Sequence, residues 1–90
     1  MSNNKADLPT RMRDLLIAEL APTELAIRDD SAAHAGHAGA REGGHYQVLI
    51  RSARFQGLGS LARHRLVYEA LAPLMSRGIH ALSIDARLPA

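Results

Sequence analysis

The sequence predicts a two-layer α/β domain in which helices cover one face of a three-stranded mixed sheet. Three short segments carry the composition and alternation of β-strands, and two longer segments carry apolar residues at helical spacing. The turn Phe55–Ser60, between the second strand and the second long helix, is expected to include a short helical piece. A helical segment joins the second strand to the third, and such a crossover makes the two strands parallel, whereas the first two strands can pair antiparallel. The expected order is therefore α-β-β-α-α-β, within one domain over residues 8–90 that follows a polar tail, residues 1–7.

The first helix is predicted to begin near Leu8 and to end before Pro22, with Pro9 tolerated in its first turn. Its apolar residues at helical spacing are Met12, Leu15, Leu16, Ile17 and Leu20. The segment 25–29 then alternates as a short strand, with Leu25 and Ile27 on one face.

A loop is predicted over Ser31–Gly44, because this stretch is rich in glycine and alanine and has no large apolar residue. Loops of this length are uncommon inside compact domains and are usually functional or disordered. This loop carries His34 and His37. The strand His45–Ser52 follows it, with Tyr46, Val48 and Ile50 on one face.

The second helix is predicted to begin at Ser60, whose hydroxyl can cap its first turn. Its apolar face comprises Leu66, Val67, Ala70, Leu71 and Leu74. Pro73 should kink or end the helix, and Gly78 should stop it. The last strand, Ile79–Arg87, is expected to turn His80 toward the helices together with Leu82, Ile84 and Ala86.

Composition excludes several classes of function. The chain has no cysteine, which excludes disulfides, thiol catalysis and metal sites built from its own thiolates. Aromatic residues are only 3% of the chain, too few for the base-stacking surfaces of single-strand nucleic-acid binders. No apolar run is long enough for a membrane span and no signal peptide is recognisable, so we expect no membrane association and a cytoplasmic location.

The segment Arg63–Tyr68 places two arginines near the positive end of a helix dipole, where cations are unfavourable. One interpretation is structural: Arg65 pairs with Glu69, and Arg63 lays its stem along the apolar face. The other is that Arg63, His64 and Arg65 form a surface for an anion or an acidic partner. His64 borders the apolar face, which favours packing over catalysis for this residue.

The remaining histidines could bind a metal. Taken alone, His80 would be interpreted as a core residue. However, the loop that carries His34 and His37 and the start of the strand at His45 are predicted to lie at the same end of the sheet as His80. Several imidazoles without a thiolate suit zinc, copper, nickel or the histidine share of an iron–sulfur cluster. No pair of nucleophile and base stands out, so no catalytic residue is predicted.

A set of motifs resembles the BolA family over roughly residues 10 to 89. The motifs are Asp30-Ser31, the histidine loop, His45-Tyr46-Gln47-Val48, Phe55-x-Gly57, Arg63-His64-Arg65-Leu66-Val67-Tyr68 and Ile79-His80-Ala81-Leu82. The resemblance implies a class II KH-like fold and a non-enzymatic role. Two features depart from the family pattern: the loop is unusually rich in alanine and glycine, and Pro73 interrupts a helix that is usually continuous.

The resemblance also implies a cofactor and a partner. BolA-like proteins pair with monothiol glutaredoxins and share a bridging [2Fe–2S] cluster whose other ligands come from the glutaredoxin and glutathione. His80 matches the family's cluster ligand. His34 is the best match for the second ligand in the loop, His37 the next, and His45 could support the ligands. The chain without its cluster is expected to be a monomer or a weak homodimer.

The alternative function is DNA binding in transcriptional regulation, since some BolA-like proteins are described as DNA binders. The segment Arg63-His64-Arg65 resembles part of a helix-turn-helix motif. A formal net charge of +2 argues against strong nonspecific affinity for DNA, although local arginines could contact phosphates.

Overall fold

The structure, a computed structural model, describes residues 8–30 and 44–90. The predicted tail at residues 1–7 and the loop histidines His34 and His37 lie outside these ranges. The elements in chain order are α1 (Leu8–Leu20), β1 (Glu24–Asp29), β2 (Gly44–Arg51), a 3-10 helix (Ala53–Phe55), α2 (Ser60–Ala70), α3 (Ala72–Met75) and β3 (Ile79–Arg87). This order confirms the predicted one. Within the described ranges, no helix is both long and apolar enough to cross a membrane.

The three strands form one mixed sheet in the order β1-β2-β3. β1 pairs antiparallel with β2, and β2 pairs parallel with β3, as expected for a hairpin followed by a helical crossover. Along β2, Tyr46, Val48 and Ile50 are buried under the helices, whereas Gln47 is exposed on the opposite face. The helices thus cover one face of the sheet, and the core lies between the two layers.

α1 packs through residues spaced four apart. Met12, Leu16 and Leu20 are buried, whereas Ile17, which the sequence grouped with them, is 49% exposed. A hydrogen bond connects the end of α1 with the residue that follows β2: the buried Ser52 hydroxyl donates to the Leu20 carbonyl (2.6 Å). The same hydroxyl accepts a bond from the Arg54 amide (3.0 Å) and caps the 3-10 helix.

The start of α2 differs from the prediction. Gly59, and not Ser60, is the N-cap: its backbone is extended and its carbonyl accepts the first helical bond, from the Arg63 amide (3.0 Å). No side chain caps this end of the helix. The predicted effect of Pro73 is confirmed, since α2 ends at Ala70 and Pro73 lies in the first turn of α3, where its missing N–H costs no helical bond.

The start of β3 corrects the predicted orientation of His80. The register pairs Gly44 with Ile79 and His45 with Ala81, so β3 has one extra residue, His80, that faces no partner on β2. Such a β-bulge reverses the alternation of side chains on either side of it. Ile79 is therefore buried in the core, and His80 is exposed and not turned toward the helices.

Candidate metal centre

His45 and His80 lie together at one end of the sheet. Their ring centroids are 5.2 Å apart and the ring planes are inclined by 49°. His45, near the start of β2, is half-buried, and His80, near the start of β3, is exposed. The parallel pairing of these strands places both starts at the same edge of the sheet, as the predicted topology required.

The bulge brings the two rings into contact. His45 shares the face opposite the helices with Gln47, because Tyr46 between them is buried. With regular alternation, the side chain at position 80 would lie on the helix side, away from His45. Because β3 has one extra residue here, the side chain of His80 does not lie on the helix side, and its imidazole is accessible at the sheet edge.

Asp30 follows the end of β1 and lies beside His45. Its amide donates a hydrogen bond to the His45 carbonyl (2.7 Å). Its carboxylate accepts a bond from Gln47 Nε2 (2.6 Å) and forms an ion pair with Arg28 (3.0 Å). Asp30 and Gln47 line a shallow depression together with His45 and Ala81. Both oxygens of this carboxylate are thus engaged in holding the sheet edge.

The loop that was predicted to carry ligands is anchored at this same end. It leaves the described part of the chain after Asp30 and returns at Gly44, whose amide donates to the Gly78 carbonyl (2.7 Å) just before β3. His34 follows Asp30 by four residues, a stretch that spans at most about 14 Å when fully extended. The length of chain is therefore compatible with a ligand from this loop near His80.

The described residues can supply nitrogen ligands here, but not a complete set. No group of three or more histidine, aspartate or glutamate side chains in residues 8–30 and 44–90 is arranged to hold a metal ion. The chain has no thiol to contribute. A metal centre at this edge would take imidazole from His80 and further ligands from elsewhere.

The cationic segment of α2 has a different arrangement. The guanidinium of Arg63 donates from Nε to the Leu58 carbonyl (2.8 Å) and from Nη1 to the Ala86 carbonyl (3.1 Å). Arg63 thereby joins the start of α2 to the end of β3. These contacts are structural, as one interpretation of the sequence proposed for Arg63, although its partners are backbone carbonyls that residue spacing could not reveal.

Arg65 is exposed, and in the described part of the chain it forms no ion pair with Glu69, contrary to the structural interpretation. His64 is half-buried. Sequence reasoning assigned no surface role to Leu61 or Tyr68, which are 65% and 41% exposed on the same side of α2 as Arg65. Their helical spacing from Arg65 was the available signal.

A bidentate ion pair lies on β3, on the sheet face opposite the helices. Arg87 contacts both carboxylate oxygens of Asp85 through Nε and Nη2, each at 2.8 Å. The hydrogen bonds from Arg87 are the main cause that lowers the pKa of Asp85 below its ordinary value. This pair is fully explained as a bidentate surface contact, and it lies well along β3 from His80.

The sequence is similar to several known proteins. A family model described as "BolA-like protein" matches residues 16–90. The chain is 45% identical over 84 residues to the chloroplastic protein BOLA1 of Arabidopsis thaliana, covering 89% of this chain and 52% of that protein. It is 43% identical over 79 residues to BolA-like protein 1 of Homo sapiens, covering 88% and 56%. The chain thus spans about half the length of these relatives.

Solved structures agree in fold. BolA1 from Arabidopsis thaliana superposes with a TM-score of 0.80 at 44% identity, covering 99% of this chain and 96% of that one. The BolA domain of SufE1 from the same plant gives 0.78 at 45% identity, covering 89% and 90%. The name of one relative places that protein in chloroplasts, so a cytoplasmic location for this chain stays a prediction. With its family model, its relatives and its fold in agreement, the chain belongs to the BolA-like protein family.

Proposed function

We propose that this BolA-like chain is a non-enzymatic protein that binds a monothiol glutaredoxin and shares a bridging [2Fe–2S] cluster with it, in iron–sulfur trafficking or in iron and redox regulation. One observation carries the proposal: the bulge in β3 presents the imidazole of His80 to solvent at a sheet edge. An exposed imidazole on a regular element suits a metal that is shared with a partner.

The chemistry of the ligands explains why a partner is needed. Cluster irons are usually bound by thiolates, and this chain has no cysteine. The glutaredoxin and glutathione would therefore supply the sulfur ligands, and His80 would supply a nitrogen ligand. Histidine in place of thiolate raises the reduction potential of a [2Fe–2S] cluster, and it makes binding depend on pH because a protonated imidazole cannot bind metal.

The second ligand from this chain is assigned to the loop, with His34 ahead of His37. The described chain stops at Asp30, whose amide bonds the His45 carbonyl, and resumes at Gly44, whose amide bonds the Gly78 carbonyl two residues before His80. His45 has a supporting role in this proposal. Its ring contacts that of His80 and can restrict the orientation of the ligand, as groups around metal ligands commonly do.

The structure weakens the DNA-binding alternative. Arg63, one of the two arginines in the cationic segment, uses its guanidinium on two backbone carbonyls. Phosphate contacts from that segment would rest on Arg65, beside a half-buried His64. We therefore favour cluster sharing, and DNA binding is tested only as the alternative in the measurements below.

Reconstitution tests the proposal. The chain is mixed with a monothiol glutaredoxin, glutathione, iron and sulfide, and the products are followed by size-exclusion chromatography and visible circular dichroism. We expect a heterodimer with a [2Fe–2S] spectrum that His80→Ala changes and His64→Ala leaves intact. An unchanged spectrum in His80→Ala would refute the assignment of His80 as a ligand. Failure of any heterodimer to form would refute the proposed function.

Two further measurements complete the design. Because His80 is exposed, His80→Ala should change the free energy of unfolding by no more than about 0.5 kcal/mol, so a changed spectrum cannot be attributed to unfolding. His34→Ala and His37→Ala are then compared separately. A spectral change in His34→Ala alone supports the assignment of His34 as the second ligand. A change in His37→Ala alone would assign that ligand to His37 instead.

A further inference from the structure

We infer that His45 and His80 form a two-imidazole binding site for a single divalent transition-metal ion, such as Zn²⁺, in the chain without any partner. This site differs in chemistry from the shared cluster, because it needs one ion and neither sulfide nor a partner's thiolates. It gives His45 the role of a metal ligand in addition to that of a neighbour of His80.

The separation of the rings supports the inference. Zinc binds imidazole nitrogen at about 2.0–2.1 Å with tetrahedral geometry, so two imidazoles on one ion have centroids about 5 Å apart. The centroids of His45 and His80 are 5.2 Å apart. At this separation, one nitrogen of each ring can face a common ion.

The backbone at both positions is already fixed. β2 is the central strand, and the His45 carbonyl accepts a bond from the Asp30 amide (2.7 Å). The neighbour of His80, Ile79, is 5% exposed in the core, and the Gly78 carbonyl before it accepts from the Gly44 amide (2.7 Å). Sites built on strands are held more precisely than sites built on loops.

The surroundings set the class of ion and the openness of the site. The nearest acid that lines the depression, Asp30, has its carboxylate engaged by Gln47 and Arg28. Two neutral nitrogens without a carboxylate favour Zn²⁺, Cu²⁺ or Ni²⁺ over Mg²⁺ or Ca²⁺. The described residues offer no third histidine, aspartate or glutamate for this site, so its remaining coordination positions would be open to water or to other ligands.

Zinc titration of the full chain tests the inference. Binding is measured by calorimetry, and the imidazole C–H signals are followed by NMR. We expect one site per chain, with shifts of His45 and His80, and at least a tenfold loss of affinity in both His45→Ala and His80→Ala, since even groups around a ligand contribute about 10–100-fold. His64→Ala should bind as the parent does.

Two outcomes would overturn the site: full affinity in His45→Ala, or full affinity in His80→Ala. A parallel titration with Mg²⁺ should give no binding, and equal binding of Mg²⁺ would refute the nitrogen-ligand chemistry.

A competition experiment separates this inference from the proposed function, on which it rests only through His80. If both hold, Zn²⁺ added before reconstitution inhibits formation of the cluster-bridged heterodimer, and His45→Ala relieves the inhibition. Zinc binding without any heterodimer in the metal-free control would refute the function and leave the site standing. A heterodimer in the parent that forms equally well with Zn²⁺ present would refute the site at His80.

Discussion

Arg63 and Arg65 lie two positions apart on α2 and carry the same charge, yet their surroundings differ. The guanidinium of Arg63 binds the Leu58 and Ala86 carbonyls, whereas Arg65 is exposed. Hydrogen bonds from charged groups to partly buried acceptors contribute more to stability than exposed charges do. The two arginines of one motif therefore have separable roles, one in the fold and one at the surface.

Arg63→Ala should lower the free energy of unfolding by about 1–3 kcal/mol, because it leaves two carbonyls without their donor. Arg65→Ala is the matched control and should change it by no more than about 0.5 kcal/mol. Urea denaturation of the three proteins measures both values. Equal effects of the two substitutions would contradict the structural role of Arg63.

Ser52 and Ser60 make a second pair at the residue scale. Ser52 is fully buried and bonds both the Leu20 carbonyl and the Arg54 amide, whereas the sequence-based candidate for a cap, Ser60, has no capping bond. Ser52→Ala should cost about 1–3 kcal/mol of unfolding free energy, and Ser60→Ala less than about 0.5. Thermal denaturation compares them, and a loss of about 1 kcal/mol in Ser60→Ala would restore it as the cap.

At the scale of elements, β3 depends on the conformation of the residue before it. Gly78 has a φ of +138°, and a Cβ at this position would lie 2.9 Å from Leu8 Cδ2. L-residues with side chains rarely adopt such a φ, so the entry into β3 requires glycine here. The bulge that exposes His80 follows two residues later.

Gly78→Ala should therefore destabilise the chain by about 1–3 kcal/mol, because the backbone at this position must take a conformation unfavourable for alanine. It should also shift the amide NMR signals of His45 and Ala81, which pair across the bulge. Denaturation and NMR spectra check the two effects. Parent-like stability would show that the entry into β3 does not need a positive φ.

The bidentate pair on β3 predicts a pH effect. The pKa of Asp85 is lowered chiefly by its hydrogen bonds to Arg87, with its ordinary value at 3.8. The stabilisation by this contact is thus present above that value and is lost as pH falls through the lower pKa of the folded state. NMR titration should show the midpoint of Asp85 below 3.8, and Arg87→Gln should raise it; an unmoved midpoint would contradict this cause.

Most elements, and the placement of His45 and His80 at one end of the sheet, could be predicted from pattern and topology, but the orientation of His80 could not. The alternation in β2 and the spacing of Met12, Leu16 and Leu20 reflect burial directly, so sequence and structure agree there. The predicted orientation of His80 was wrong because a bulge changes which face a side chain lies on, and the apolar pattern of the sequence does not record the bulge. The contacts of Arg63 join residues far apart in the chain, and no local pattern records them.

At the scale of the whole molecule, the fold presents separate surfaces: the sheet edge at His80 and the exposed side of α2 at Leu61, Arg65 and Tyr68. The chain spans about half the length of its BOLA1 relative, and the family model matches residues 16–90. The small net charge of +2 gives the molecule as a whole little attraction for a polyanion. Recognition is therefore expected to depend on the ligands at the sheet edge.

Salt separates the two candidate functions at this scale. Any association with duplex DNA should weaken steeply between 50 and 200 mM salt, because it would rest on phosphate contacts. The cluster-bridged heterodimer should persist over this range, since metal–ligand bonds hold it. Fluorescence anisotropy with labelled DNA and chromatography of the heterodimer check the contrast, and a salt-resistant, sequence-specific DNA complex would favour the alternative.

The most direct test of the central claim is pulsed electron paramagnetic resonance of the reduced heterodimer, made with this chain labelled with ¹⁵N only at histidine. We expect nitrogen hyperfine couplings that change from the ¹⁴N to the ¹⁵N pattern on labelling and that His80→Ala alters. A cluster whose spectrum shows no histidine nitrogen from this chain would contradict the claim that His80 binds its iron.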